Sequence, residues 1–131
     1  TEENLSTLAK RSKMKNHSYM IAALILMIFG EVLTTYSEVY ASKLPGRPLE
    51  TPLMFLKPII LISIAGVSLV FAYWLGYRAT GNIWVVTVAS LTLLLILEPI
   101  VIYAMLKELP ERGALIGFIL GATGLIATVT L

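Results

Sequence analysis

The sequence predicts an all-α integral membrane protein built as a bundle of four transmembrane helices. Composition gives the class: of 131 residues, 57% are hydrophobic and only 14% charged, far from the balance of a soluble domain. Length gives the count, because residues 19–41, 58–77, 82–106 and 113–131 are each apolar for about the 20 residues that cross roughly 30 Å of hydrocarbon as a helix. Backbone chemistry gives the type. In lipid only helices or closed barrels satisfy every N–H and C=O, and these runs lack the alternation of barrel strands.

Residues 1–18 form a polar, basic amino-terminal segment with Lys10, Arg11, Lys13, Lys15 and His17. The apolar run that follows is too long for the core of a secretory signal and has no small-residue cleavage site, so the first span is expected to stay in the protein. Met14 is a candidate native start, which would make Thr1–Lys13 an upstream extension. Residues 19–131 are then one four-helix transmembrane domain. Between its first two spans lie Pro45-Gly46-Arg47-Pro48 and Pro52, which prevent a continuous helix. Arg78-Ala79-Thr80-Gly81 is so short that the second and third spans must be antiparallel neighbours, and Lys107-Glu108-Leu109-Pro110-Glu111-Arg112 joins the last two in the same way.

Glu31 is the residue most in need of explanation, since it falls near the centre of the first span. A charged side chain at that depth costs at least roughly 2.5–3.5 kcal/mol, so it is a candidate for proton or cation chemistry. The other reading is a protonated structural carboxyl bonded to a neighbouring helix. Glu38 follows two turns later on the same face. Glu98-Pro99 lies off-centre in the third span, where the carboxyl can serve backbone groups freed by the proline, as a structural or relay element. Trp74, Tyr77 and Trp84 flank the Arg78 turn as an interfacial aromatic belt would. Tyr36, Tyr73 and Trp84 offer π faces to a bound cation, belt or packing being the alternative.

In the fourth span Gly113, Gly117 and Gly121 recur every four residues, with Gly124 one turn further. That spacing predicts a face where another helix backbone approaches closely, in the same chain or in a second protomer. Several functions fall away. The chain has no cysteine, its one histidine, His17, lies outside the spans, and it carries no zinc ligand set, nucleotide loop or nucleophile–base constellation. Neither enzymatic activity, a cofactor nor a metal is expected. The basic residues cluster at span ends, pointing to lipid headgroups rather than nucleic acid.

Gly30-Glu31-Val32 followed by Thr34-Thr35, and Leu75-Gly76-Tyr77-Arg78-Ala79-Thr80-Gly81-Asn82-Ile83-Trp84 entering the third span, resemble the small multidrug resistance family of the drug/metabolite transporter superfamily. Glu98-Pro99, Leu106-Lys107-Glu108 and the stretch from Ile116 to Ile126 look like the end of an EamA-type half-transporter. Together the resemblance covers about residues 20–131. It implies a half-transporter of the drug/metabolite type in a prokaryotic cytoplasmic membrane, working as a homodimer or paired with a similar half. Glu31 would be the shared proton and cation site of an antiparallel dimer, and the last helix would dimerise. Thr87 stands where the drug exporters carry a tryptophan, and the first loop is longer than theirs. The implied function is proton-coupled export of a cationic or amphiphilic small molecule by alternating access, with Glu31, Glu38, Tyr36, Tyr73, Trp84 and Thr87 as candidate proton and substrate residues. The alternatives are an accessory subunit of a larger membrane complex, without transport, and a subunit of a flippase for lipid-linked metabolites.

Orientation follows from positive charge. Lys10, Arg11, Lys13, Lys15 and Arg78 fall on the amino-terminal side and Lys43, Arg47, Lys57, Lys107 and Arg112 on the other, so the ten basic residues divide equally. A chain without bias can insert both ways, as an antiparallel homodimer requires, unless a partner or the full-length context fixes its direction; a start at Met14 would make the count two against five. With the whole segment from Thr1 present, an amino-terminal tag should be found on both sides of the membrane, and lysines added at the Arg78 turn should drive it to the cytoplasm. A single orientation in the unmodified chain would exclude the antiparallel dimer.

Overall fold

A computed structural model describes residues 2–46 and 52–131. The described residues are helical apart from short connections, with α1 at Glu2–Ser42, α2 at Pro52–Thr80, α3 at Ile83–Leu106 and α4 at Arg112–Thr130. All four are long and apolar enough to cross a membrane. Helix α1 runs through the polar amino-terminal segment without a break. Its 41 residues make a rod about 60 Å long, roughly twice the thickness of a bilayer's hydrocarbon core.

Helix α2 is longer than the run from Pro58 to Tyr77 suggests. It begins at Pro52, since a proline is favoured in the first turn, where its missing N–H would be unpaired anyway. Pro58 then lies inside the helix and is buried. The chain reverses at Gly81, whose φ of +68° suits glycine and whose N–H donates to the Tyr77 carbonyl at 2.7 Å. Asn82 caps α3, its side chain accepting from the Trp84 N–H at 3.0 Å. At the far end α3 stays helical through Pro99 and stops at Lys107, which takes the left-handed conformation. Of the first loop, Arg47 and Pro48 lie outside the described residues.

Helix α1 packs mainly on α2 and secondarily on α3, α2 also touches α3, and α4 touches α3 alone among the described residues. A small core of Met27, Ala72 and Val86 joins the first three helices. Close approach of α1 and α2 depends on Gly30. A Cβ there would lie 2.7 Å from Leu69 Cγ and 3.3 Å from the Ala65 carbonyl oxygen. Across the same seam the Ser68 hydroxyl donates to the Leu26 carbonyl at 2.9 Å.

The glycines of α4 are placed differently. Only Gly121 faces another helix, 3.5 Å from Leu95 Cδ1, while Gly113, Gly117 and Gly124 look onto open space, and α4 buries no residue. Within one chain the glycine row is therefore not a packed seam.

Bulk at Gly30 should separate α1 from α2. Gly30→Val is expected to destabilise the protein by about 1–3 kcal/mol through overpacking, read as a lower midpoint of thermal unfolding in detergent followed by helical circular dichroism. Gly66→Ala, whose added methyl meets no atom within 4 Å, should leave the midpoint nearly unchanged.

Candidate functional site

Because Gly30 lets α2 come close, the next residue along α1 is shut away from the lipid. Glu31 is 6% exposed. The Ser90 hydroxyl of α3 reaches it from the opposite side and donates to Glu31 Oε1 at 2.9 Å. Ser90 is itself buried. The carboxyl thus sits where three helices meet, midway along the apolar part of α1, held by a neutral hydroxyl rather than a cation.

The hydroxyls of the bundle divide into two groups. Those of Ser37, Ser63, Thr87 and Thr92 donate to the carbonyl four residues back on their own helix, the usual way to satisfy a hydroxyl in lipid. Ser68 and Ser90 reach across to α1 instead. Thr35, one turn beyond Glu31, does neither. It is 2% exposed and its Oγ1 has no hydrogen-bond partner among the described residues.

Glu38 is exposed at the edge of a shallow groove with Phe55, Pro58 and Ile62 of α2. Glu98 is half-buried and lines a groove of about 260 Å³ with Gly121 and Leu125 of α4. Thr87 spends its hydroxyl on the Ile83 carbonyl at 2.9 Å.

The three candidate rings are not brought together. Antiparallel packing puts Tyr36 at one end of the bundle and Tyr73 and Trp84 at the other. Tyr36 stacks on Tyr40, with centroids 6.2 Å apart, and lines an apolar groove of about 770 Å³ between α1 and α3. Tyr73 packs against the Met27, Ala72 and Val86 core. Trp84 is 72% exposed. Rings near helix ends carry cations of the chain itself: Arg78 lies 4.5 Å from the Trp74 centroid and Lys57 4.6 Å from that of Tyr40. Such pairs suit the membrane interface, where an aromatic body and a charged tip both find their medium.

Reading the residues alone passes over Ser68, Ser90 and Thr35. Single hydroxyls inside apolar runs are unremarkable in sequence, and only the packing tells which ones leave their own helix. Among the described residues no group of three or more Asp, Glu and His side chains gathers as a metal ion would require. No family model, curated protein or solved structure matches the chain.

The Ser90 contact can be weighed directly. Removing its hydroxyl leaves Glu31 Oε1 buried without a donor, so Ser90→Ala should cost about 0.6–2 kcal/mol, the span measured for interhelical hydrogen bonds in membranes. Thr92→Ala, which removes a bond within one helix, should cost less. Unfolding both variants in mixed micelles checks the order, and equal losses would show that the Ser90 bond contributes nothing beyond helix propensity.

Proposed function

We propose that the protein is a small proton-coupled membrane transporter in which Glu31 binds either a proton or a cationic or amphiphilic substrate. One observation carries the reading: a carboxyl buried at mid-depth whose described partner is a neutral hydroxyl. An anion in that position would be left uncompensated, so the site is stable when it holds a proton or a cation and must exchange one for the other. Competition for a single site couples the two fluxes, as the halves of the assembly rock around it. Glu38, two turns further along α1, and Glu98 of α3 are auxiliary acids rather than the exchange site.

The open glycine face of α4 supports assembly with another helix, because Gly113, Gly117 and Gly124 leave room for a backbone that the described residues do not supply. A homodimer, or a pair with a similar half, completes the transporter, in keeping with the resemblance to the drug/metabolite type. The same face supports a second reading, in which the chain is an accessory subunit of a larger membrane complex and Glu31 is a structural carboxyl.

Glu31→Gln separates these readings. The amide keeps the shape and can still accept from Ser90, but it does not titrate. Purified Glu31→Gln protein should lose proton release on addition of hydrophobic cations such as tetraphenylphosphonium, with the fold intact, whereas Glu98→Gln should keep most of it. Release that is unchanged in Glu31→Gln removes the exchange mechanism.

A further inference from the structure

We infer that Thr35 and Glu38 form a proton relay on α1 that connects Glu31 to the membrane face near the first loop, an inference that rests on Glu31 being the exchange site. At 100° per residue, Glu31, Thr35 and Glu38 fall within an arc of about 60°, and Glu38 is about 10 Å along the axis from Glu31. The three differ in exposure as the members of a path should: Glu31 and Thr35 are buried and Glu38 is exposed.

The Thr35 hydroxyl carries the argument. A threonine in a membrane helix can always bond the carbonyl one turn back, as Thr87, Thr92 and Thr123 do. Thr35 leaves that bond unmade and is orphaned at 2% exposure, although buried polar atoms in folded proteins nearly always have a partner, protein or water. Helical side chains lean toward the amino terminus, so the group lies over the turn that carries Glu31. A hydroxyl so placed is satisfied by water, and it both donates and accepts.

In the relay, Glu38 takes a proton from solvent and passes it to a water molecule between the two residues. The hydronium gives a proton to a lone pair of Thr35 Oγ1, while the proton already on Thr35 passes to a second water, which releases one of its own to the free carboxyl oxygen of Glu31. Thr35 ends as a hydroxyl and Glu31 as a neutral acid, and rotation of the hydroxyl resets the path. Ser37, also buried on α1, does not compete, because its proton is committed to the Leu33 carbonyl at 2.7 Å. Other charged groups toward this face are Glu98 of α3, which lines a groove with α4, Lys57 of α2, engaged by the Tyr40 ring, and Lys43, Lys107, Glu108, Glu111 and Arg112 at or beyond the helix ends.

A pH jump on the protein in lipid nanodiscs, followed by time-resolved infrared spectroscopy, tests this without any substrate. The carboxyl band of Glu31 is identified as the one missing from Glu31→Gln. Thr35→Val, which keeps the shape and removes the hydroxyl, should slow that band about 100-fold, the low end for a positioned proton-transfer group, with its final amplitude unchanged. Thr35→Ser should restore the rate. Glu38→Gln, at an exposed position with little risk to folding, should also slow it and keeps the test decisive if Thr35→Val does not fold. A Glu31 band whose rate is indifferent to Glu38, or equally slow in Thr35→Ser and Thr35→Val, overturns the relay and leaves Glu31 as the exchange site. Absence of any titrating Glu31 band removes the exchange reading and the relay together.

Discussion

Apolar side chains gain little from one another when lipid surrounds them, so helices in a membrane are held by close contact and by hydrogen bonds rather than by escape from water. In this chain the contact is at Gly30, where the Ala65 carbonyl and the Leu69 side chain of α2 come against the backbone of α1. Everything polar in the centre of the bundle follows from that approach. It brings Ser68 within reach of the Leu26 carbonyl, and it shuts the next residue, Glu31, between helices instead of leaving it to lipid. The tight turn at Gly81 and Asn82 then returns α3 alongside, and Ser90 completes the enclosure.

The division among hydroxyls gives the interior its character. A serine or threonine that bonds its own helix is chemically silent, and most of them here do so. Three that do not, Ser68, Ser90 and Thr35, converge on the middle of α1, as bonds to Leu26 and Glu31 or as an unpartnered oxygen. Polar groups in hydrocarbon concentrate where something is handled, and in this bundle they concentrate around one carboxyl. The aromatic rings have the complementary distribution. Four of them, Tyr19, Tyr40, Trp74 and Tyr103, lie toward the helix ends beside Lys15, Lys57, Arg78 and Lys107, where they suit the interfaces.

Much of the fold was legible because lipid imposes few solutions. Apolar length gave four spans, and the short Arg78-Ala79-Thr80-Gly81 stretch gave a reversal, which falls at Gly81 because α2 stays helical through Thr80. Boundaries were less legible where proline was read as a stop: Pro52 opens α2 and Pro58 sits within it, since an early proline costs a helix little and neighbouring helices cover an internal one. The continuity of α1 through its polar segment was also hidden, because hydropathy marks where lipid begins and not where a helix does. Glu31 stood out from the sequence on charge alone. Its partner did not, because Ser90 is 59 residues away and looks no different from Ser63, which bonds its own helix. The glycine row of α4 was visible as spacing, yet spacing is silent about what faces it.

The unbroken length of α1 has a mechanical consequence. The same rod that carries Glu31 at mid-membrane extends from Gly30 to Glu2, about 42 Å at 1.5 Å per residue. A tilt of about 10° around Gly30 would swing the amino-terminal tip by about 7 Å, while the carboxyl beside the pivot hardly moves. Rearrangement of the buried site is thereby geared up into a displacement in the aqueous phase. A fluorophore at the tip of α1 would act as the pointer of a gauge whose bearing lies in the membrane.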